Sequence, residues 1–139
     1  PALGLGGGNH VRLLPSPDGP HLDQLTREQR RVYDAAMEGR SLFFTGNAGT
    51  GKTALLKLII AGLEASQRSV AVTASTGAAA ILISGRTLHS WAGVRLGEEA
   101  AYVLAAIVRK SKDARRNWKG ADALVIDEVS MLDPELFDK

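Results

Sequence analysis

Phe43-Phe44-Thr45-Gly46-Asn47-Ala48-Gly49-Thr50-Gly51-Lys52-Thr53-Ala54-Leu55-Leu56 is the stretch that decides the fold, because its centre satisfies G-x-x-x-x-G-K-[ST] in full. Each residue type there has a physical task. Gly46, Gly49 and Gly51 permit backbone angles and a close approach that a side chain would forbid. The turn then aims several N–H groups inward, at the positive end of the helix that follows, and so forms a nest for anions. Lys52 brings a point charge to the outer phosphates of a nucleoside triphosphate, and the Thr53 hydroxyl is suited to a magnesium ion bridging them. Gly46, Asn47, Ala48, Gly49, Thr50, Gly51, Lys52 and Thr53 are therefore the candidate nucleotide ligands, with ATP and Mg²⁺ as the expected cofactors.

The flanks agree with this reading. Residues 41–45 read as a short buried strand, and 54–63 as an apolar helix. Further along, Ser69-Val70-Ala71-Val72-Thr73 reads as a second strand, and 74–84 as a turn followed by a small-residue helix. Residues 87–92 read as a helical turn. A helix is expected over 98–110, with acids in its first turn and with Tyr102, Leu104, Ala105, Ile107 and Val108 buried. Residues 121–126 read as a third strand ending in Asp127-Glu128, and Asp133 caps a last helix with Pro134 at its first position. Upstream, Leu25-Thr26-Arg27-Glu28-Gln29 opens a helix in which Thr26 and Gln29 have capping-box spacing. Strands alternating with helices predict an α/β fold with a parallel sheet covered on both faces. Ligands of such sheets gather at the carboxyl ends of the strands. The phosphate loop, the turn after Thr73 and Asp127-Glu128 all follow strand ends, and so are expected on one edge.

The whole chain sets bounds. Its 139 residues hold at most one domain. Residues 1–24 are rich in glycine and proline and read as a disordered leader, leaving 25–139 for the folded part. With no cysteine, a disulfide framework or a cysteine-ligated zinc site is excluded, and three scattered histidines argue against any other zinc site. No apolar run approaches the roughly 20 residues that cross a membrane. A net charge of +2 decides nothing. The first residue is proline, and the last lie just inside the final expected helix after only three strands, which reads as a cut.

Leu124-Val125-Ile126-Asp127-Glu128 delivers two carboxylates from an apolar strand. Asp127 is placed to hold magnesium, together with Thr53, and Glu128 to orient or deprotonate an attacking water. A second acid favours hydrolysis over transfer to another substrate. Lys52, Asp127 and Glu128 are the candidate catalytic residues.

Five stretches, in order, resemble the first half of the motor of the Pif-type (petite integration frequency) DNA helicases of superfamily one. They are residues 25–29, 43–53, Thr73-Ala74-Ser75-Thr76-Gly77-Ala78-Ala79-Ala80, Thr87-Leu88-His89-Ser90-Trp91-Ala92-Gly93 and Val125-Ile126-Asp127-Glu128-Val129-Ser130-Met131. The phosphate loop and acid pair are shared by very many enzymes; the Thr-Ala-Ser-Thr-Gly and Thr-Leu-His-Ser stretches are the specific ones. The resemblance implies a P-loop NTPase of RecA-like fold, here the N-terminal half of a first motor domain. It implies that Gln29 reads adenine, since a carboxamide pairs two-pronged with N6 and N7; a plain capping-box role stands beside this. It also implies that Thr73, Ser75, Thr76 and Gly77 grip phosphates of single-stranded DNA, and that His89 and Trp91 touch the strand. For Trp91, a place in the core is the rival reading. The basic run Arg109, Lys110, Lys112, Arg115, Arg116 and Lys119 is either a DNA-facing patch or a solvated helix end.

By the same resemblance the parent is an ATP-dependent 5′-to-3′ DNA helicase of genome maintenance, covering repair, recombination and telomeric or mitochondrial DNA. It would act as a monomer on single-stranded and forked or structured DNA. Its place would be the nucleus or mitochondrion in a eukaryote, and the cytoplasm in a bacterium. A RecD-like or transposon-borne helicase, or a truncated non-catalytic regulator, are the alternatives. The second motor domain with its arginines, the strand-separating pin and the later motifs are not among these residues. Alone, the 139 residues are expected to bind nucleotide weakly, hydrolyse it poorly and unwind nothing.

Overall fold

A computed structural model describes residues 21–139. The leader expected over 1–24 thus lies outside the described residues up to position 20, while Leu22–Gln24 forms a single 3₁₀ turn. The helices are α1 (Arg27–Met37), α2 (Lys52–Ala65), α3 (Gly77–Leu82), α4 (Leu88–Ala92), α5 (Ala101–Lys110), α6 (Lys112–Gly120) and α7 (Pro134–Phe137). Three strands, β1 (Val70–Ala74), β2 (Arg86–Thr87) and β3 (Ala123–Asp127), form a parallel sheet in the order β2-β1-β3. None of these helices is long and apolar enough to cross a membrane.

The central strand explains the layering. Side chains alternate across a strand, so Val70, Val72 and Ala74 face one side of β1 and Ala71 the other. On the first side, Ala74 meets Leu56 and Ile60 of α2 and Ala79, Ala80 and Ile83 of the α3 segment. On the second side, Ala71 packs with Leu88, Trp91 and Ala92 of α4 and with Leu132. Both faces of the sheet are therefore covered, as the βα alternation predicts. The first α2 layer is doubled by α1, whose Ala36, Val32, Tyr33 and Met37 pack on Leu55, Ile59 and Leu63. Ile60, 1% exposed, is the most buried residue of α2 and faces the sheet, and burying it is worth about 1.5–3 kcal/mol.

β1 and β2 approach so closely that only glycine fits between them. A Cβ on Gly85 would stand 2.5 Å from the Val72 carbonyl oxygen and 3.0 Å from Val72 Cγ1. Neither can retreat, because Val72 is held in the central strand. Gly85→Ala is expected to destabilise by about 1–3 kcal/mol through overpacking, read as a lower urea midpoint.

Three expectations need correction. Residues 41–45 pair with no strand among the described residues, and Phe43 is 77% exposed rather than buried. Only Phe44 turns inward, against α2 and β1. Both edges of β1 are taken by β2 and β3, and residues 41–45 do not pair with the outer edge of either. The second correction concerns Tyr102, which is 77% exposed; α5 begins at Ala101, after the two acids, and buries Leu104. The third is the basic run, which is split between two helices: Arg109 and Lys110 close α5, while Lys112, Arg115, Arg116 and Lys119 belong to α6. Ser111 ends α5 and caps α6, its hydroxyl accepting from Ala114 N at 3.2 Å. α6 buries Ala114 and anchors itself on α4: Asn117 Nδ2 donates to Trp91 O at 2.7 Å, and Trp118, though 49% exposed, donates from Nε1 to Ala92 O at 3.0 Å. Its lysines and arginines are left outside, as either a solvated helix end or a DNA-facing patch requires.

Candidate nucleotide and strand-end site

The phosphate loop has the backbone its glycines predict. Gly49 and Gly51 lie at φ 80° and 77°, in the left-handed region, and a Cβ on Gly46 would meet Thr50 Oγ1 at 2.9 Å. Gly51 is also the N-cap of α2, so the N–H groups of Lys52 and Thr53 open the first helical turn without partners inside the helix. The Lys52 ammonium is folded into the loop, donating to Gly46 O at 2.7 Å and Asn47 O at 2.8 Å. Those carbonyls hold the cation where phosphate oxygens would compete for it. Thr50 closes the turn, its hydroxyl donating to Asn47 O at 2.8 Å. Asn47, Ala48 and Thr53 are exposed.

Gln29 joins this loop from α1. The capping box is complete: Thr26 Oγ1 accepts from Gln29 N at 3.2 Å, and Gln29 Oε1 accepts from Thr26 N at 2.9 Å. The same carboxamide donates from Nε2 to Thr50 O at 3.2 Å. An amide has two donor protons and two acceptor lone pairs. One of each remains, which is the pair that a two-pronged contact with a nucleobase edge requires.

The acid pair lies on the same edge of the sheet. Ala74, the last residue of β1, is in register with Asp127, the last of β3. Ala74 also packs on Leu56, one helical turn beyond Lys52. α2 therefore starts at the carboxyl edge where the acids stand. Asp127 is half-buried and its Oδ1 accepts from Glu128 N at 2.9 Å. Glu128 is exposed and left-handed, at φ 53° and ψ 41°. Among the described residues no cluster of three or more His, Cys or acidic groups exists. A single carboxylate, a threonine hydroxyl and phosphate oxygens suit magnesium, which keeps several waters and shuns all-protein cages.

The expected strand-binding residues divide sharply. Thr73 is fully buried and its hydroxyl donates to Val125 O at 2.6 Å, so it ties β1 to β3 and offers DNA nothing. Trp91 is 4% exposed, in the core beside Trp118 with ring centroids 4.6 Å apart; no face is open to a base. Thr76 caps α3, accepting from Ala79 N at 3.2 Å, and Gly77 is exposed beside it. Ser75 donates its hydroxyl to Glu128 O at 2.7 Å. His89 is half-buried on α4. The link between Ser75 and Glu128 has no signature in the sequence, since the partners are 53 residues apart.

A sequence model described as PIF1-like helicase matches residues 24–139. The chain belongs to the PIF1-like helicase family. It is 48% identical over 117 residues to the ATP-dependent DNA helicase PIF1 of Saccharomyces cerevisiae strain YJM789, covering 83% of this chain and 14% of that protein. The ATP-dependent DNA helicase PIF1 of Homo sapiens is 44% identical over 116 residues, covering 84% and 18%. The crystal structure of the Pif1 helicase from Candida albicans superposes with a TM-score of 0.78 at 45% identity, over 82% of this chain and 26% of that one. The three-stranded parallel sheet with its helices thus has the RecA-like form found in the PIF1-like neighbour. The chain spans well under a quarter of the length of these two full-length relatives.

Proposed function

We propose that the complete protein is an ATP-dependent DNA helicase that moves 5′ to 3′ on single-stranded DNA, and that residues 25–139 are the first half of its first motor domain. What supports this most is that the helix after the phosphate loop packs against the strand whose last residue is in register with Asp127, in a chain of the PIF1-like helicase family. Lys52 leaves the two loop carbonyls and carries its charge to the outer phosphates of ATP. The loop N–H groups hold the same phosphates, and Gln29 presents its spare donor and acceptor to the adenine. Thr53 and Asp127 would hold magnesium, which neutralises phosphate charge when bound. Glu128 orients the attacking water and draws a proton from it. Thr76, Gly77 and His89 face the DNA strand. The role is genome maintenance on forked or structured DNA, as a monomer, in the nucleus or mitochondrion of a eukaryote or the cytoplasm of a bacterium.

The test is directional. The complete protein is given ATP and a duplex with a single-stranded tail at either the 5′ or the 3′ end. Separation of the 5′-tailed duplex alone is expected. Preference for the 3′ tail, or ATP-independent melting of both, would refute the proposal.

A further inference from the structure

The turn after β1 and the turn after β3 are joined by two hydrogen bonds, and one of them ends on the residue assigned to hydrolysis. Ser75 N donates to Asp127 O at 3.1 Å, and Ser75 Oγ donates to Glu128 O at 2.7 Å. Glu128 is one of four described non-glycine residues whose backbone needs such a hold. It is left-handed without being glycine, at φ 53° and ψ 41°, a conformation that persists only where its surroundings fix it. Its N–H is satisfied by Asp127 Oδ1, and its carbonyl accepts from Ser75 Oγ and, at 3.0 Å, from Met131 N. Both ends of the strained residue are thus pinned, and Ser75 is the one hold that comes from the turn after β1.

We propose that Ser75 is a positioning residue for hydrolysis. Its hydroxyl tethers the backbone of Glu128, and through this tether a DNA strand in the 75–77 turn reaches the attacking water. The proposal rests on the helicase reading above. The chemistry of the hydroxyl makes the tether responsive: serine has one O–H proton, and a carbonyl and a DNA phosphate are both acceptors. Ser75 can donate to only one at a time. Any shift of the 75–77 turn around a strand therefore moves the anchor of Glu128, whereas Thr73, sealed inside the sheet, keeps β1 and β3 together regardless.

The experiment compares the complete protein with Ser75→Ala and Ser75→Thr, measuring ATPase kcat and KM with and without a single-stranded oligonucleotide, and oligonucleotide affinity. In Ser75→Ala the DNA-stimulated kcat is expected to fall about tenfold, the worth of one hydrogen bond, with KM for ATP unchanged. Ser75→Thr, which keeps the hydroxyl, is expected to restore stimulation. Equal loss in both variants would make the effect one of side-chain fit and overturn the tether. So would Ser75→Ala with weaker oligonucleotide binding but full kcat at saturating DNA, since Ser75 would then be a plain DNA ligand. A stimulated wild type with an indifferent Ser75→Ala sinks the tether alone. A wild type that DNA does not stimulate sinks the helicase reading first.

Discussion

Lys52→Ala in the complete protein is expected to lower ATP turnover by about 100-fold or more, the scale seen when a preorganised charge donor is removed from a transition state. Two losses combine. The ammonium no longer meets the outer phosphates, and the loop loses the hydrogen bonds to Gly46 O and Asn47 O that hold its shape. Nucleotide affinity therefore drops together with kcat. Steady-state hydrolysis and equilibrium binding of a fluorescent nucleotide check the two parts separately. Turnover equal to wild type would mean that the loop does not hold the triphosphate.

Glu128→Gln is expected to separate the same two quantities. The amide is nearly isosteric, and the hydrogen bonds of Glu128 are made by its backbone: N–H to Asp127 Oδ1, and the carbonyl accepting from Ser75 Oγ and Met131 N. Only the carboxylate is changed. Losing a positioned base costs about 10²–10⁴ in rate, while binding of ATP is expected to persist. Pre-steady-state measurement of bound, uncleaved ATP provides the check. If binding collapses as well, Glu128 belongs to the cradle for the nucleotide and not to the chemistry. If neither changes, water is activated by another group.

The parts that were legible in the sequence are those whose signal is local. The phosphate loop is eight consecutive residues, and its glycines adopt the left-handed angles or the close approach that their type implies. Thr26 with Gln29, and Asp133 with Pro134, name helix starts by spacing alone, and both caps form. The acid pair was legible because its strand is an unbroken apolar run. The misread parts depend on neighbours that spacing does not reveal. Residues 41–45 carry a good strand composition, yet a strand exists only where it pairs, and pairing is not written in composition. Thr73 reads as an exposed hydroxyl at a strand end, but it falls one residue inside the strand, where its side chain meets β3. Trp91 is drawn inward by α6, and α6 itself was hidden by its charges: only Ala114, Asn117 and Trp118 mark its inner side. Ser111 followed by Asp113 was the available sign of its start, a capping serine with an acid in the first turn.

The contact from Gln29 Nε2 to Thr50 O has a practical consequence. One carboxamide fastens the start of α1 and leans on the loop that would enclose the triphosphate tail. In the helicase proposed above, the same group would also read the adenine, so selectivity among nucleobases and grip on the tail would not be independent dials. Replacing Gln29 to admit guanosine would then remove its hold on Thr50 as well.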